Sequence, residues 1–337
     1  MQRLLHLTFA ASLALVIGAC TGDSRTTLVV ASAHGPDLLA EAEREFESLH
    51  PEVDVVTVYL GSNEIRERLR ASRARPTFHV IWGADAVTLD SSAAEKLLTA
   101  SHPTWSSPSH PGGADGLWWG VYELPMVLGY NPKLIDRAKL PKTWAELASD
   151  ASKGSLILRD PAASGSMRTW LGSLVLGAPS EASGFELLAR LDSNVRSYEG
   201  SPELLFERLE SGPAAITVWN LTDLVFQRKT KGYSFLPAGL NEPVPVILDG
   251  IALVAGSESR KDAMAFVEHV TSIPALAKAA KAHARIPVRA DFPRELLDPD
   301  VAAIAFDRAV VDRSILASKL KPWMRRFEEE IRGRGKR

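Results

Sequence analysis

The chain has 337 residues, 45% of them hydrophobic and 24% charged, with a formal net charge of −2. That is enough apolar material for two α/β lobes and argues against disorder of the chain as a whole. No basic stripe or aromatic–basic interleaving is present, so a nucleic-acid partner is not expected.

The first twenty residues, MQRLLHLTFAASLALVIGAC, stand apart. Arg3 precedes an apolar run from Leu7 to Ile17 that is too short to cross a membrane and stop. Small residues follow it, as in a secretion signal. The run leads to Cys20, the single cysteine of the chain, so no internal disulfide can form. A lone cysteine is commonly a core residue, but its place just after a signal core speaks against that. Ile17-Gly18-Ala19-Cys20 resembles a bacterial lipobox, which implies lipid attachment at Cys20. Residues 1–20 are thus read as a lipoprotein signal peptide and 21–26 as a tether. The protein is expected on the periplasmic or extracellular face of a membrane.

TLVVAS (Thr27–Ser32) reads as a buried strand. GPDLLAEAEREFESLHP follows as an amphipathic helix with Leu38, Leu39, Ala42 and Phe46 on one side. VDVVTVY, SNEIRERLRAS and FHVIWG continue as strand, helix and strand. This order implies a parallel sheet with right-handed crossovers. Residues 101–118 read as a long loop. GVYELPMVLGYN (Gly120–Asn131) is a long extended segment whose Pro125 suits an edge or a crossover between bodies. Thr143-Trp144-Ala145-Glu146 has the form of a capping box. SLIL is a short strand, and a helix is expected from about Ser166. Ser201-Pro202 opens another helix. AAITVW is a strand, TDLVFQRK a helix, and VPVILDGIALVAG (Val244–Gly256) a second long extended segment. Ser259-x-x-Asp262 opens a further helix. The highly charged tail, MRRFEEEIRGRGKR, reads as a solvated helix with a frayed end.

Each long extended segment follows an α/β unit. The chain is therefore expected to leave one lobe and return to it, with a cleft between the lobes and both crossings acting as hinges.

Several pieces, in this order and spacing, resemble the extracellular solute-binding proteins of bacterial ABC importers, in the group of ferric-iron, phosphonate and sugar-phosphate binders. They are VVASAHGPDLLAEAEREFE, HVIWGAD, LWWGVYELPMVLGYN, PKTWAELA, LILRDPAASGS, GPAAITVWN, DGIALVAGSESRKDAMAFVEHVTS and ARIPVR, spanning about residues 27–289. The resemblance implies an α/β, two-lobed periplasmic binding protein fold with a hinge and an interlobe ligand cleft. Lobe 1 is expected to hold residues 27–125 plus 250–337, with the C-terminal helices packing on it or across the hinge, and lobe 2 residues 126–249. It further implies a monomer that delivers a small organic solute to an ABC permease, with no cofactor.

Ligands of open α/β sheets sit beyond the C-terminal strand ends. In the first lobe this selects His34, Ser62, Trp82 and Asp85. In the second it selects Ser164-Gly165-Ser166, where hydroxyls and first-turn amides can hold an anion. Arg168, in the first turn of the same helix, is disfavoured by the dipole unless it serves a bound anion. Tyr122, Trp219, Asn220 and Asp249 complete the candidate set, with hinge packing as the plainer reading for Trp118 and Trp119. Ser164→Ala and Trp219→Ala are expected to weaken binding and to leave stability alone.

The Ser-Gly-Ser turn favours a phosphate- or phosphonate-bearing organic compound. A neutral sugar, an amine, ferric iron, or a sensor role with a membrane receptor are the alternatives. The iron-binding members carry adjacent tyrosines where this chain has Asn220 and Leu221, so no metal site is expected. No nucleophile elbow, HExxH or Walker loop is present, and no enzyme is expected.

Overall fold

The computed structural model describes residues 25–107, 109–258 and 260–333. The lipidation candidate Cys20, and Ser259 of the helix start inferred above, lie outside those residues.

The chain begins with β1 (Thr26–Ser32), α1 (Pro36–Leu49), β2 (Val53–Tyr59), α2 (Ser62–Ala71), β3 (Val80–Asp85), α3 (Ala86–Ala94) and the short β4 (Leu98–Thr99). β1 lies between β2 and β3, and both pairings are parallel. Alternation decides which face each side chain takes. Leu28 and Val30 join Phe46, Trp82 and Phe266 on one face. Ala31 joins Ile65, Ile81, Leu89 and Trp118 on the other. The sheet is therefore covered on both sides, as a parallel sheet requires.

β5 (Trp119–Tyr130) crosses between the lobes. Its first half pairs antiparallel with the returning strand, as far as Pro125 opposite Val246. From Met126 onward it pairs with strands of the second lobe. Pro125 thus sits where one ladder ends and the next begins, a place that tolerates a missing donor.

The second lobe continues with α4 (Trp144–Leu147), β6 (Leu156–Arg159), α5 (Gly165–Gly177), α6 (Glu181–Asn194), β7 (Val195–Glu199), α7 (Pro202–Ser211), β8 (Ile216–Asn220), α8 (Leu221–Lys231) and β9 (Leu236–Ala238). Thr143 caps α4, but Glu146 accepts from the Lys142 amide instead of returning to Thr143, so the expected reciprocal box is only half formed. β10 (Val246–Val254) returns the chain to the first lobe. α9 (Arg260–Val270), α10 (Ile273–His283), β11 (Ile286–Pro287), α11 (Pro299–Ala302) and α12 (Arg313–Arg326) complete the chain. The sheet order is β2-β1-β3-β10-β5-β8-β6-β7.

The tail differs from the solvated helix its charge suggested. Trp323, Met324, Phe327 and Ile331 are buried in the core of the second lobe. α12 packs on α5 and on α3 of the first lobe. Arg332 reaches Asp160 at 2.7 Å. The charges lie on one side of a helix whose apolar stripe is narrow, so composition masked it.

Candidate functional site

A cleft of about 600 Å3 opens between the lobes at the C-terminal strand ends. The N-termini of α1, α2, α5, α7 and α8 all border it. Their partial positive ends converge on one volume. Gly35 and Gly61 cap α1 and α2 without any side-chain hydrogen bond. The first-turn amides there have no side-chain cap, and both helix starts border the cleft.

The start of α5 serves both the helix and the cleft. Ser164 is a true N-cap, accepting from Met167 N at 3.2 Å, and it also borders the cleft with Gly165 and Ser166. The helix starts at Gly165, one residue ahead of expectation. A Cβ on Gly165 would collide with the Asp85 carboxylate and lie 3.2 Å from Ser62 Cβ. The lobes therefore meet here, and the absence of a side chain lets them.

His34, Ser62, Asp85, Trp219, Asn220 and Asp249 also border the cleft. His34 Nε2 is 3.0 Å from Asp249 Oδ2, and the ring lies over Gly83, where a Cβ would be 2.5 Å from Nε2. Burial, only partly offset by Asp249, holds His34 below its ordinary pKa. Asp249 also accepts from Tyr122 N at 3.2 Å. Ladder shifts on both sides of Gly250 place Asp249 there, as bulges re-aim side chains. Asp85 caps α3 through Thr88. Asn220 caps α8, and its amide nitrogen donates to Asp223 Oδ2 at 2.8 Å. Its polar atoms are committed to the helix start. Trp219 is 4% exposed and donates to Asp223 Oδ2 at 3.1 Å. Its ring belongs to the core as much as to the cleft, so Trp219→Ala is a stability change too.

Three of the selected residues are elsewhere. Trp82 is buried beneath the cleft, edge-on to His34 with ring centres 4.7 Å apart. Tyr122 is likewise a buried support, 5.5 Å from the His34 ring. Both lie inside their strands and join the core cluster of Leu28, Val30 and Phe46. Arg168 spans the lobes and donates to Asn63 Oδ1. That bond holds the other lobe's α2, and Arg168 is not among the residues that border the cleft. Trp118 and Trp119 donate to Asp90 and Ser101 and stay out of the cleft.

The most informative cleft residues were missed. Arg159, at the end of β6, is 8% exposed and donates to Glu199 O at 2.8 Å. Among the described residues no carboxylate is within ion-pair distance of it, and its Nε has no partner. The strand-end rule that selected Trp82 also selects Arg159. Tyr59 ends β2 by the same rule and is 44% exposed. Arg285 reaches Asp223 across the lobes at 3.3 Å. Only the pairing of β11 with β5 brings it there.

The lining thus combines two guanidiniums with the carboxylates of Asp37, Glu64, Asp85, Glu203, Asp223 and Asp249. Leu60, Leu124, Phe206 and Phe226 add apolar wall. Charges of both signs therefore line the cleft beside an apolar wall. Among the described residues no group of three or more His, Cys, Asp or Glu is placed to hold a metal ion.

The model of the bacterial extracellular solute-binding protein family matches residues 32–276. A probable ABC transporter periplasmic-binding protein, y4fP, of Sinorhizobium fredii is 26% identical over 98% of this chain and 94% of its own. The periplasmic binding protein AfuA of Actinobacillus pleuropneumoniae, solved with exogenous fructose-6-phosphate bound, superposes with a TM-score of 0.80 at 19% identity, covering 92% of this chain and all of that one. A ferric binding protein from Campylobacter jejuni superposes at 0.78 and 19% identity, covering 90% and 98%. These likenesses share the two-lobed periplasmic-binding-protein fold found here. The family match spans most of the chain, from the first strand end to α10, and the chain belongs to the bacterial extracellular solute-binding proteins.

Proposed function

We propose that the cleft takes a small phosphorylated organic molecule, of the sugar-phosphate kind, and that the protein delivers it to the permease of an ABC importer. The observation that carries this is Arg159, a buried guanidinium with no carboxylate at ion-pair distance among the described residues, in one cleft with the starts of α1 and α2, which lack side-chain caps. A phosphoryl group supplies the missing acceptors. The cleft carboxylates then accept from sugar hydroxyls, and Phe206, Phe226 and Leu124 cover the carbon skeleton. A relative solved with fructose-6-phosphate supports this over a phosphonate. Attachment through Cys20 and a monomeric state belong to the same reading.

The mechanism is hinge closure. The solute bridges residues of both lobes and makes the closed form the major state. Arg159 and Ser164–Ser166 come from the second lobe, His34 and Gly61–Ser62 from the first.

Ferric iron is the second reading, favoured by the likeness to a ferric binding protein and by Tyr59 in the cleft wall. Calorimetry separates the two. Fructose 6-phosphate should bind with heat and saturation, while fructose, inorganic phosphate and ferric nitrilotriacetate bind at least tenfold more weakly. Tight binding of ferric nitrilotriacetate alone would sink the proposal.

A further inference from the structure

A second cavity of about 160 Å3 lies behind the contact between the lobes and shares no lining residue with the cleft. Its walls come from the start of α3, from α5, from β10 just ahead of Asp249, and from the chain entering α12. Both lobes and a hinge strand therefore meet around it.

Arg313 is the one charged side chain in this lining. It donates to Gly112 O at 3.1 Å and lies 5.2 Å from the Trp118 ring centre. Among the described residues no carboxylate is within ion-pair distance, and Nη1 is buried without a hydrogen-bond partner. Asp90, whose field reaches Arg313, accepts from Trp118 Nε1 instead. Thr169 is 8% exposed, and its hydroxyl also lacks a partner. Arg313 is half-buried, but a guanidinium nitrogen buried without an acceptor is unfavourable. A carboxylate matches its fork in charge and shape. Val87, Ile247 and Leu316 make the rest of the wall apolar. The volume equals about five waters at about 30 Å3 each, the size of a short aliphatic acid.

We propose that this rear cavity binds a short-chain aliphatic carboxylate, with its head on Arg313 and Thr169 and its tail among Val87, Ile247 and Leu316. Because its walls belong to both lobes, occupancy favours the closed arrangement and is linked to solute affinity.

Butyrate is the probe, titrated into the purified protein without solute and followed by ligand-observed NMR. Saturable binding with a Kd of about 1 mM or tighter is expected. It should weaken at least tenfold in Arg313→Met and measurably in Thr169→Val. The second variant is nearly isosteric and keeps the test open if the first does not fold. Butyrate should also reduce the radius of gyration in solution scattering. No saturable binding, or equal binding by both variants, would overturn the site. An unchanged radius at saturation would overturn the link to closure.

Discussion

His34 and Asp249 face each other at 3.0 Å, both buried, one from the turn after β1 and the other from the strand that brings the chain back. Burial depresses the His34 pKa more than Asp249 raises it, with Arg285 lowering it and Asp223 raising it further away. The unfolded chain takes up this proton near pH 6.5, and the native chain only at lower pH. Protons therefore favour unfolding in that window. The stabilisation is full above about pH 6.5 and declines as pH falls toward the native pKa. Melting temperatures from about pH 5 to 7.5 should show a steeper fall for the wild type than for His34→Gln. Equal slopes would show that His34 titrates as in the unfolded chain.

Arg159 carries the anion in this account. Arg159→Met removes charge-assisted hydrogen bonds worth about 1.5–3 kcal/mol, so affinity for a phosphorylated solute should drop about ten- to hundredfold. Calorimetry checks it. Affinity for the unphosphorylated sugar should change little.

Gly165 is where the lobes touch. In Gly165→Ala the new methyl meets Asp85 and Ser62 only when the lobes close. Solute affinity should fall at least tenfold, and the solute-free melting temperature should stay close to wild type. A matched loss of both would make Gly165 a folding residue instead.

Arg168 and Asn63 form a latch between the lobes, in which Asn63 borders the cleft and Arg168 does not. Arg168→Met should weaken solute binding about three- to tenfold, and Asn63→Ala by a similar factor. The double variant should lose little more, since contacting residues are not additive. Additive losses in a double-mutant cycle would show two separate effects.

The tail is structural. Phe327 is 1% exposed in the second-lobe core. Phe327→Ala should cost about 3–5 kcal/mol, read as a lower urea midpoint. A midpoint like wild type would restore the solvated-tail reading.

The fold was legible because period-two strands and capped helices follow one another through the chain. Leu28 and Val30 alternate with Ala31 as the pattern demands. The strand-end rule located His34, Ser62, Asp85 and the turn at Ser164. It failed at Trp82, which was placed at a strand end, because β3 runs on to Asp85 and leaves Trp82 inside the strand, buried. Tyr122, added apart from that rule, lies inside β5 and is buried beside the His34 ring. Arg285 was out of reach, because a two-residue strand brings it to the cleft and no periodicity announces so short an element. Arg168 was read from the dipole rule as a ligand contact, and its partner is a side chain of the other lobe. The charged tail misled because the count of charges hid a spacing that buries Trp323, Phe327 and Ile331 on one side.

The central claim is that the solute carries a phosphoryl group, and native mass spectrometry of the purified protein tests it most directly. Fructose 6-phosphate and ferric nitrilotriacetate would be offered together. The account predicts a retained mass equal to the sugar phosphate, lost in Arg159→Met. A retained iron mass with no organic phosphate would contradict it.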